Sequence, residues 1–256
     1  AYQNHFDLGS GGTVYYTTDP ETIPKSTYFY TRFQFDIAGN MLSAFKGVMK
    51  KDENGAGMIW NTPYSQFVRA EATVGKTWIW GRNSGQSLAT RFIAGAGHAY
   101  GNSNALPFEK HFYAGGANSL RGWQARTVGP GTSARDTSFV IPNQTGDMRL
   151  EANIEYRFDV FWKLEGAVFI DAGNVWTLKQ KDVSVEDGSM FRWNTLGESI
   201  AANWGLGIRL NLDFLLLRID AGFKVHDPAR TNKWLGPDQW FKRNGYAIHF
   251  GVGYPF

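Results

Sequence analysis

The sequence predicts an all-β fold, a transmembrane antiparallel β-barrel, and three observations support this prediction. Segments of about 9–11 residues alternate between apolar and polar residues, which is the length and period of a membrane-spanning strand. Aromatic residues make up 16% of the 256 residues, and glycine contributes 30. Long polar connections alternate with short ones, as in bacterial outer-membrane barrels, whose turns are short on one side and long on the other.

The last segment, GYAIHFGVGYPF, has the clearest alternation. One predicted face carries only apolar and aromatic side chains: Tyr246, Ile248, Phe250, Val252, Tyr254 and Phe256. The opposite face carries small residues, a histidine and a proline. Period two over this length predicts a strand with one face toward lipid. A soluble β-sandwich strand gives the same alternation, but the length of the predicted strands disfavours it.

The same alternation recurs along the chain and predicts about nine strands. They cover residues 9–17, 28–38, 64–79, 87–99, 147–158, 163–176, 200–211, 215–226 and 245–256. The longest connection between them is 100–146. Single-chain bacterial barrels have an even number of strands. Because nine is odd, we expect residues 1–256 to form the C-terminal part of a larger barrel.

Composition and motifs argue against several other functions. The formal net charge is +3 and the basic residues are scattered, which does not favour a nucleic-acid partner. The chain has no cysteine, and its five histidines lack the spacing of metal ligands. We recognise neither a dinucleotide-binding motif nor a nucleophile elbow. The sequence therefore predicts no enzymatic activity, no metal and no cofactor.

One arginine stands out in the longest connection, within the stretch PFEKHFYAGGANSLRGW. Arg121 lies between small and aromatic residues, in a segment with neither helical nor strand periodicity. If this arginine were buried, its guanidinium would need carboxylate partners, which it binds in a fork. An exposed arginine in a turn rich in glycine and asparagine is the alternative, and spacing alone favours that alternative.

Five stretches resemble the BamA/TamA superfamily of outer-membrane assembly factors: PFEKHFYAGGANSLRGW, TGDMRLEANIEYRF, GAVFIDAGNVW, GLGIRLNLDFLLLRIDAGFKVHDP and GVGYPF. The likeness is closest to the TamA-like proteins of Bacteroidetes, often called TamL. It covers residues 28–256 and is densest over 107–256. The resemblance implies a barrel of about sixteen strands preceded by periplasmic POTRA domains. The POTRA domains and the first strands would then be absent from this chain.

The resemblance also implies that the 100–146 connection folds back into the barrel lumen. The corresponding loop of the superfamily carries a motif of a hydrophobic residue, arginine, glycine and an aromatic residue at its tip. The matching residues here are Leu120, Arg121, Gly122 and Trp123.

In the superfamily, the arginine of this motif pairs with acidic side chains on the inner barrel wall. The corresponding residues are Glu155 in NIEYRF and Asp171 in FIDAGNVW. Both lie on the polar faces of their predicted strands. Glu151 faces the same side as Glu155 and is the alternative partner.

The function implied by the resemblance is folding or insertion of β-barrel proteins into the outer membrane of a Gram-negative bacterium. The implied partners are outer-membrane lipid and lipopolysaccharide, unfolded outer-membrane protein clients, the N-terminal part of the same barrel and further envelope assembly subunits. The last strand, 245–256, would form the barrel seam and carry the chain's own sorting signal. A two-partner-type secretion pore or a passive transport barrel is the alternative.

Overall fold

The computed structural model describes residues 4–21, 25–81, 85–134, 144–178, 187–212 and 214–256. Parts of the predicted connections 100–146 and 177–199 therefore lie outside the described residues. The strands are β1 (Gly9–Thr17), β2 (Tyr28–Ala38), β3 (Met58–Ile59), β4 (Thr62–Pro63), β5 (Phe67–Trp80), β6 (Gln86–Ala99), β7 (Met148–Phe161), β8 (Leu164–Trp176), β9 (Ala201–Asn211), β10 (Leu216–His226) and β11 (Tyr246–Val252).

Nine of these strands form one antiparallel sheet in the order β1-β2-β5-β6-β7-β8-β9-β10-β11, and β3 pairs with β4 separately. The prediction of nine antiparallel strands is confirmed. Eight of the nine begin and end within three residues of their expected positions. Within the described residues the sheet is open, because β1 and β11 each pair on one side only.

Burial along the strands is inverted relative to a soluble protein. On β7, Glu155 is 0% exposed, whereas the neighbouring Ile154 is 48% exposed. On β8, Asp171 is 0% exposed and Ile170 is 57% exposed. Buried charges beside exposed aliphatic residues are unusual in soluble domains and expected of a barrel in lipid. We call the buried polar face of the sheet the inner face and the apolar face the outer face.

The register brings polar residues of neighbouring strands together on the inner face. Asn153 on β7 lies opposite Asp171 on β8, which in turn lies opposite Asn203 on β9. Asp220 on β10 lies opposite His249 on β11. Directly opposed residues in an antiparallel pair are close enough for their side chains to interact. The inner face therefore carries opposed polar residues on β7 to β9 and again on β10 and β11.

The segment before β7 packs on this inner face and buries apolar side chains there. One hydrophobic cluster joins residues of this segment to the ends of β8 and β9: Phe112, Ala114, Leu120, Trp123, Val128, Val175 and Ala201. The α-helices are short: α1 (Asn40–Ser43), α2 (Leu196–Ser199) and α3 (Pro237–Trp240). Among the described residues, no helix has the length and apolar character needed to cross a membrane.

Candidate functional site: a buried arginine and its carboxylates

The loop that carries Arg121 turns tightly before it reaches the sheet. Gly115 and Gly116 adopt φ values of 95° and 100°, a region that strongly favours glycine. The backbone N–H of Gly116 donates to the carbonyl of Trp123 at 2.9 Å, which closes the loop on itself. The side chain of Ser119 accepts a hydrogen bond from the backbone N–H of Gly115 at 3.0 Å. These contacts shape residues 115–123 into a compact tip.

Two glycines let the tip lie directly against the strands. A Cβ atom on Gly122 would lie 2.8 Å from the Cβ of Asn203 on β9. A Cβ on Gly222 of β10 would overlap the backbone carbonyl of Arg121 and lie 2.7 Å from the backbone nitrogen of Gly122. Real Cβ atoms do not approach other heavy atoms this closely, so both positions require glycine or a shift of the loop.

Arg121 is fully buried and forms a fork with Asp171. Its Nε and Nη2 atoms donate to Oδ2 and Oδ1 of Asp171 at 3.0 and 2.9 Å. Its backbone N–H also donates to Oδ2, at 3.1 Å. Both side chains are 0% exposed. The planar guanidinium matches the two carboxylate oxygens, a geometry that the single nitrogen of lysine does not reproduce.

Glu155 is the second carboxylate on Arg121 and accepts a hydrogen bond from its Nη1. Two other arginines also reach Glu155. Arg157 donates from Nε to Oε1 at 2.7 Å, and Nη2 of Arg209 lies 3.0 Å from Oε2. Removing a carboxylate from water is costly, and several charge-assisted contacts are needed to offset that cost.

Glu151, the alternative partner, holds a different part of the loop. Its Oε2 accepts from the Ser119 hydroxyl at 2.7 Å and from Nη2 of Arg149 at 2.6 Å. Its Oε1 accepts from Nη2 of Arg91 at 2.8 Å. The structure thus places Arg121 against Glu155 and Asp171, and Ser119 against Glu151.

Neutral side chains of the inner face complete the surroundings of Arg121. The ring of Phe169 on β8 lies below the guanidinium, with Cζ 3.4 Å from the ring centroid. The side-chain amides of Asn153 and Asn203 donate to Asp171 at 2.9 and 3.0 Å. Phe169 was not among the residues that the sequence predicted for this site. A lone aromatic residue on the polar face of a strand is the signal that points to it, since stacking on arginine explains its position.

Arg209 on β9 and Asp220 on β10 extend the charged network and were not assigned a role from the sequence. Nη1 of Arg209 lies 2.8 Å from Oδ1 of Asp220, and both side chains are 0% exposed. Arg218 donates from Nη1 to the other oxygen of Asp220. The alternation of β9 and β10 predicts that Arg209 and Asp220 face inward. It does not predict their partners, because these lie on other strands.

The charges around Arg121 keep its guanidinium protonated. Burial alone would lower the pKa of Arg121, but the nearby charges of Asp171 and Glu155 and their hydrogen bonds raise it above the ordinary value. Guanidinium groups do not deprotonate at physiological pH. The arrangement is therefore suited to holding the loop in one position rather than to proton transfer.

The residues on either side of Arg121 and Gly122 are also buried. Leu120 is 0% exposed and belongs to the hydrophobic cluster under the loop. Trp123 is 4% exposed, and Nζ of Lys224 on β10 lies 4.8 Å from the centroid of its ring. All four residues of the predicted motif thus face the protein, and the exposed-turn alternative for Arg121 is wrong.

The first half of the predicted seam strand lies as expected. Tyr246, Ile248, Phe250 and Val252 point to the outer face and are 42%, 49%, 77% and 68% exposed. They form the edge of the sheet, since β11 pairs only with β10 among the described strands. Their exposure and apolar character fit a lipid-facing position.

The end of this strand differs from the prediction, which extended it to residue 256. β11 ends at Val252, and Gly253 follows with a φ of 78°. This left-handed conformation breaks the alternation. The Tyr254 hydroxyl donates to Glu165 on the inner face at 2.9 Å, and the Phe256 ring also turns inward. Tyr254 and Phe256 therefore do not share the outer face with the rest of the strand.

Among the residues that the structure describes, one group offers metal-ligand atoms close together, which the spacing of the histidines did not indicate. Ligand atoms of His5, Asp7 and Glu109 all lie within 4.8 Å of one another. The His5 ring nitrogen Nε2 is 2.8 Å from Oε1 of Glu109. These residues come from distant parts of the sequence, so spacing does not reveal them. Glu109 is exposed, and exposed carboxylates often pair with histidine without a metal; absence of a metal stays a prediction.

The open sheet, its inverted burial and the loop fastened by a buried arginine define part of a membrane β-barrel with an inward-folded loop. The chain belongs to the Omp85 superfamily, because the family described as "Omp85 superfamily domain" matches residues 8–256. The resemblance to the BamA/TamA superfamily is confirmed at this level. The closer likeness to the TamA-like proteins stays a prediction.

The individual relatives share only a modest fraction of identical residues with this chain. The chain is 27% identical over 125 residues to "Outer membrane protein assembly factor BamA" of Neisseria meningitidis serogroup B, a match that covers 47% of this chain and 15% of that protein. A crystal structure of BamA from Haemophilus ducreyi lacking POTRA domains 1–3 matches 95% of this chain and 53% of its own chain, with 15% identity and a TM-score of 0.45. The chain thus spans a minor part of the curated relative and about half of the solved chain.

Proposed function

We propose that this chain is the C-terminal barrel part of an outer-membrane protein assembly factor in a Gram-negative bacterium. Membership of the Omp85 superfamily and the similarity to a protein named as an assembly factor support the proposal. The observation that carries it is the buried fork between Arg121 and Asp171. A passive pore has no need of a loop whose only charged tip residue is held by two buried carboxylates.

The proposed role of the loop is to hold the barrel in its active shape. Arg121 connects one loop to two strands, since Glu155 lies on β7 and Asp171 on β8. A loop fastened in this way resists deformation of the strands beneath it, because separating the charges would leave them buried and unpaired. The proposal assigns no bond-breaking chemistry to the chain.

The proposed working edge of the barrel is β11. Within the described residues its outer edge has no strand partner, and unpaired strand edges bind other strands readily. We assign closure of this edge to the N-terminal part of the same barrel, and its transient opening to the entry of unfolded outer-membrane clients. Outer-membrane lipid and lipopolysaccharide would contact the apolar outer face. Further envelope subunits are expected, although no surface is assigned to them.

Depletion of the protein in its native cell, followed by quantitation of folded barrel proteins in the outer membrane, tests this proposal. Complementation would use the full-length wild-type protein and its Arg121→Ala and Arg126→Lys variants. Arg126 is a matched control, because it lies in the same loop but contacts the rings of Tyr113 and Phe108 instead of carboxylates. We expect folded barrel proteins to fall on depletion and to recover with wild type and Arg126→Lys only.

Two results would contradict the proposal. Unchanged levels of all folded barrel proteins, combined with loss of one exported protein from the medium, would favour a two-partner-type secretion pore. Full complementation by an Arg121→Glu variant that is present at wild-type level would show that the fastened loop is not needed for the activity.

A further inference from the structure

Three aromatic side chains form a row across the outer face of the last three strands. Trp204 on β9 lies opposite Phe223 on β10, and Phe223 lies opposite Tyr246 on β11. The ring centroids of Trp204 and Phe223 are 5.2 Å apart, and those of Phe223 and Tyr246 are 6.4 Å apart. The row lies near the end of the sheet at which the connection 227–245 joins β10 to β11. Aromatic rings near the ends of membrane-spanning strands lie at the level of the lipid headgroups.

The connection folds back over this row on the outer face. The ring centroid of Trp240, at the end of α3, lies 5.2 Å from that of Trp204. The ring centroid of Phe241 lies 5.3 Å from that of Phe223. Trp204 and Phe223 are half-buried, whereas Ile219, farther from the end of the same face of β10, is 49% exposed. The segment around α3 therefore lies on the lipid-facing side of the sheet, at its rim.

Two cations follow the exposed aromatic residue of this segment. Phe241 is 77% exposed, and Lys242 and Arg243 come directly after it, both exposed. Nζ of Lys242 lies 4.0 Å from Oδ2 of Asp238, and both side chains are 71% exposed, so solvent screens this contact. Within the described part of the chain, Arg243 forms no ion pair. The pair of cations is therefore available to an external anion.

The other cations of the connection are already paired. Nε of Arg230 lies 3.4 Å from Asp227, and Nζ of Lys233 lies 3.1 Å from Glu198. Arg230 also donates from Nη2 to the backbone carbonyl of Asn244 at 3.0 Å, which brings it close to the exposed pair. The connection contains four basic and two acidic residues, and its unneutralised positive charge is therefore concentrated in that pair.

We propose that Lys242 and Arg243 bind the phosphate groups of a lipid headgroup in the outer leaflet, and that Trp240 and Phe241 hold the segment at the membrane interface. Ammonium and guanidinium groups both bind phosphate, the guanidinium through two parallel hydrogen bonds. Aromatic residues beside cations are typical of segments that lie in the headgroup region. The apolar outer face beside the site selects a lipid rather than a free anion, because acyl chains cover that face. The inference rests on the outer-membrane location given under the proposed function.

Binding of lipid A to the full-length protein in neutral detergent tests the proposal. Lipid A carries phosphates on an acylated disaccharide, and its phosphate-free form is the matched ligand. Native mass spectrometry over a titration gives both dissociation constants. We expect the double variant Lys242→Gln/Arg243→Gln to bind lipid A roughly ten- to thirtyfold more weakly than wild type, because each surface cation adds to the attraction of anionic lipid. Binding of the phosphate-free form should stay unchanged.

The double variant Lys50→Gln/Lys51→Gln is the matched control. It removes the same charge from exposed residues of another connection at the same end of the sheet. We expect lipid A to bind this variant within about twofold of wild type, since the attraction falls off within a Debye length of the headgroup. Equal weakening by the two double variants would overturn the proposal, because total charge would then govern binding. Displacement of lipid A by inorganic phosphate at the same concentration would also overturn it, because a free anion would then be the ligand.

The depth of the segment can be measured separately with nitroxide labels. Residues 1–256 contain no cysteine, and any cysteine elsewhere in the full-length protein would be replaced by serine. The labelled variants are Phe241→Cys, Ile219→Cys on the outer face and Glu53→Cys in an exposed turn. In vesicles of phosphatidylcholine and lipid A, we expect accessibility to a water-soluble nickel chelate to be lowest at 219, intermediate at 241 and highest at 53. Equal accessibility at 241 and 53 would place the segment in water and overturn the proposal.

Failure of this inference is distinguishable from failure of the proposed assembly function. If Lys242→Gln/Arg243→Gln loses lipid A while depletion of the protein leaves folded barrel proteins unchanged, the lipid site stands and the assembly function does not. If depletion lowers folded barrel proteins but the variant binds lipid A like wild type, the assembly function stands and the lipid site does not.

Discussion

Asp171 accepts three hydrogen bonds from Arg121, two from the guanidinium and one from the backbone N–H. One carboxylate thereby fixes both the side chain and the local direction of the loop. Its oxygens also accept from the side-chain amides of Asn153 and Asn203. Asp171 is thus the point at which the loop, β7, β8 and β9 meet.

We expect Arg121→Lys to destabilise the protein, although the positive charge is kept. A lysine offers a single nitrogen, so it does not form the two-bond fork to Asp171. The additional hydrogen bond that Arg121 donates to Glu155 is also lost. Because the charge is kept and hydrogen bonds to the carboxylates are lost, we expect a loss of about 1.5–3 kcal/mol in unfolding free energy. Urea unfolding of the protein reconstituted in lipid vesicles measures this loss.

Arg126→Lys serves as the control for that measurement. Arg126 is half-buried, and Cζ lies 4.7 Å from the Tyr113 ring centroid. Lysine retains a cation over the ring, so we expect a change below about 1 kcal/mol. Equal losses for the two variants would mean that the fork contributes nothing particular to stability.

The sequence predicted most of the sheet because each strand depends on local alternation. The bounds of β1 and β2 were predicted to the residue, and in β2 the apolar Phe33, Phe35 and Ile37 alternate with polar residues. The end of β11 was not predicted, because period two alone does not reveal a left-handed glycine. In the sequence, large apolar residues still alternate with small ones after Gly253, as they do in Tyr-Ala-Ile-His-Phe-Gly-Val, although the chain turns at Gly253.

The site was predictable only in part. The residues alone favoured an exposed Arg121, and the family resemblance supplied Glu155 and Asp171 as its partners. Arg209 and Asp220 lie on polar faces, but their side chains meet through contacts among three strands and the loop. Such partners depend on the relative positions of elements that are far apart in sequence, which alternation does not encode.

We expect a double-mutant cycle to separate the two glutamates on β7. Arg121→Met combined with Glu155→Gln should show a coupling free energy above about 1 kcal/mol, because the two side chains are in contact. The same cycle with Glu151→Gln should be additive within about 0.5 kcal/mol, since Glu151 contacts Ser119 rather than Arg121. Urea unfolding of the single and double variants gives both values. A larger coupling with Glu151 would reverse the assignment.

Gly222→Ala is expected to push the loop tip away from β10. The added Cβ would overlap the Arg121 carbonyl and would lie 2.7 Å from the nitrogen of Gly122. Overpacking of this kind costs about 1–3 kcal/mol in unfolding free energy. Limited proteolysis should cleave the loop of the variant faster than that of wild type. Gly47→Ala is the control, because no atom lies within 4 Å of its added Cβ; cleavage at equal rates in the two variants would argue against close packing.

Arg209→Met tests whether the wider charge network supports the site. Arg209 is 0% exposed, and its guanidinium lies 3.0 Å from Glu155 and 2.8 Å from Asp220. Its removal leaves Asp220 buried with fewer cations, and we expect a loss of about 3–5 kcal/mol in unfolding free energy.

Arg230→Met is the control for this measurement. It removes a cation whose side chain is 32% exposed and whose Nε lies 3.4 Å from Asp227. For that pair we expect a loss below about 1 kcal/mol, because solvent screens the charges. Urea unfolding in lipid vesicles measures both losses. Similar losses for the two variants would show that Arg209 contributes no more to stability than a partly exposed cation does. The site would then not extend beyond Glu155 and Asp171.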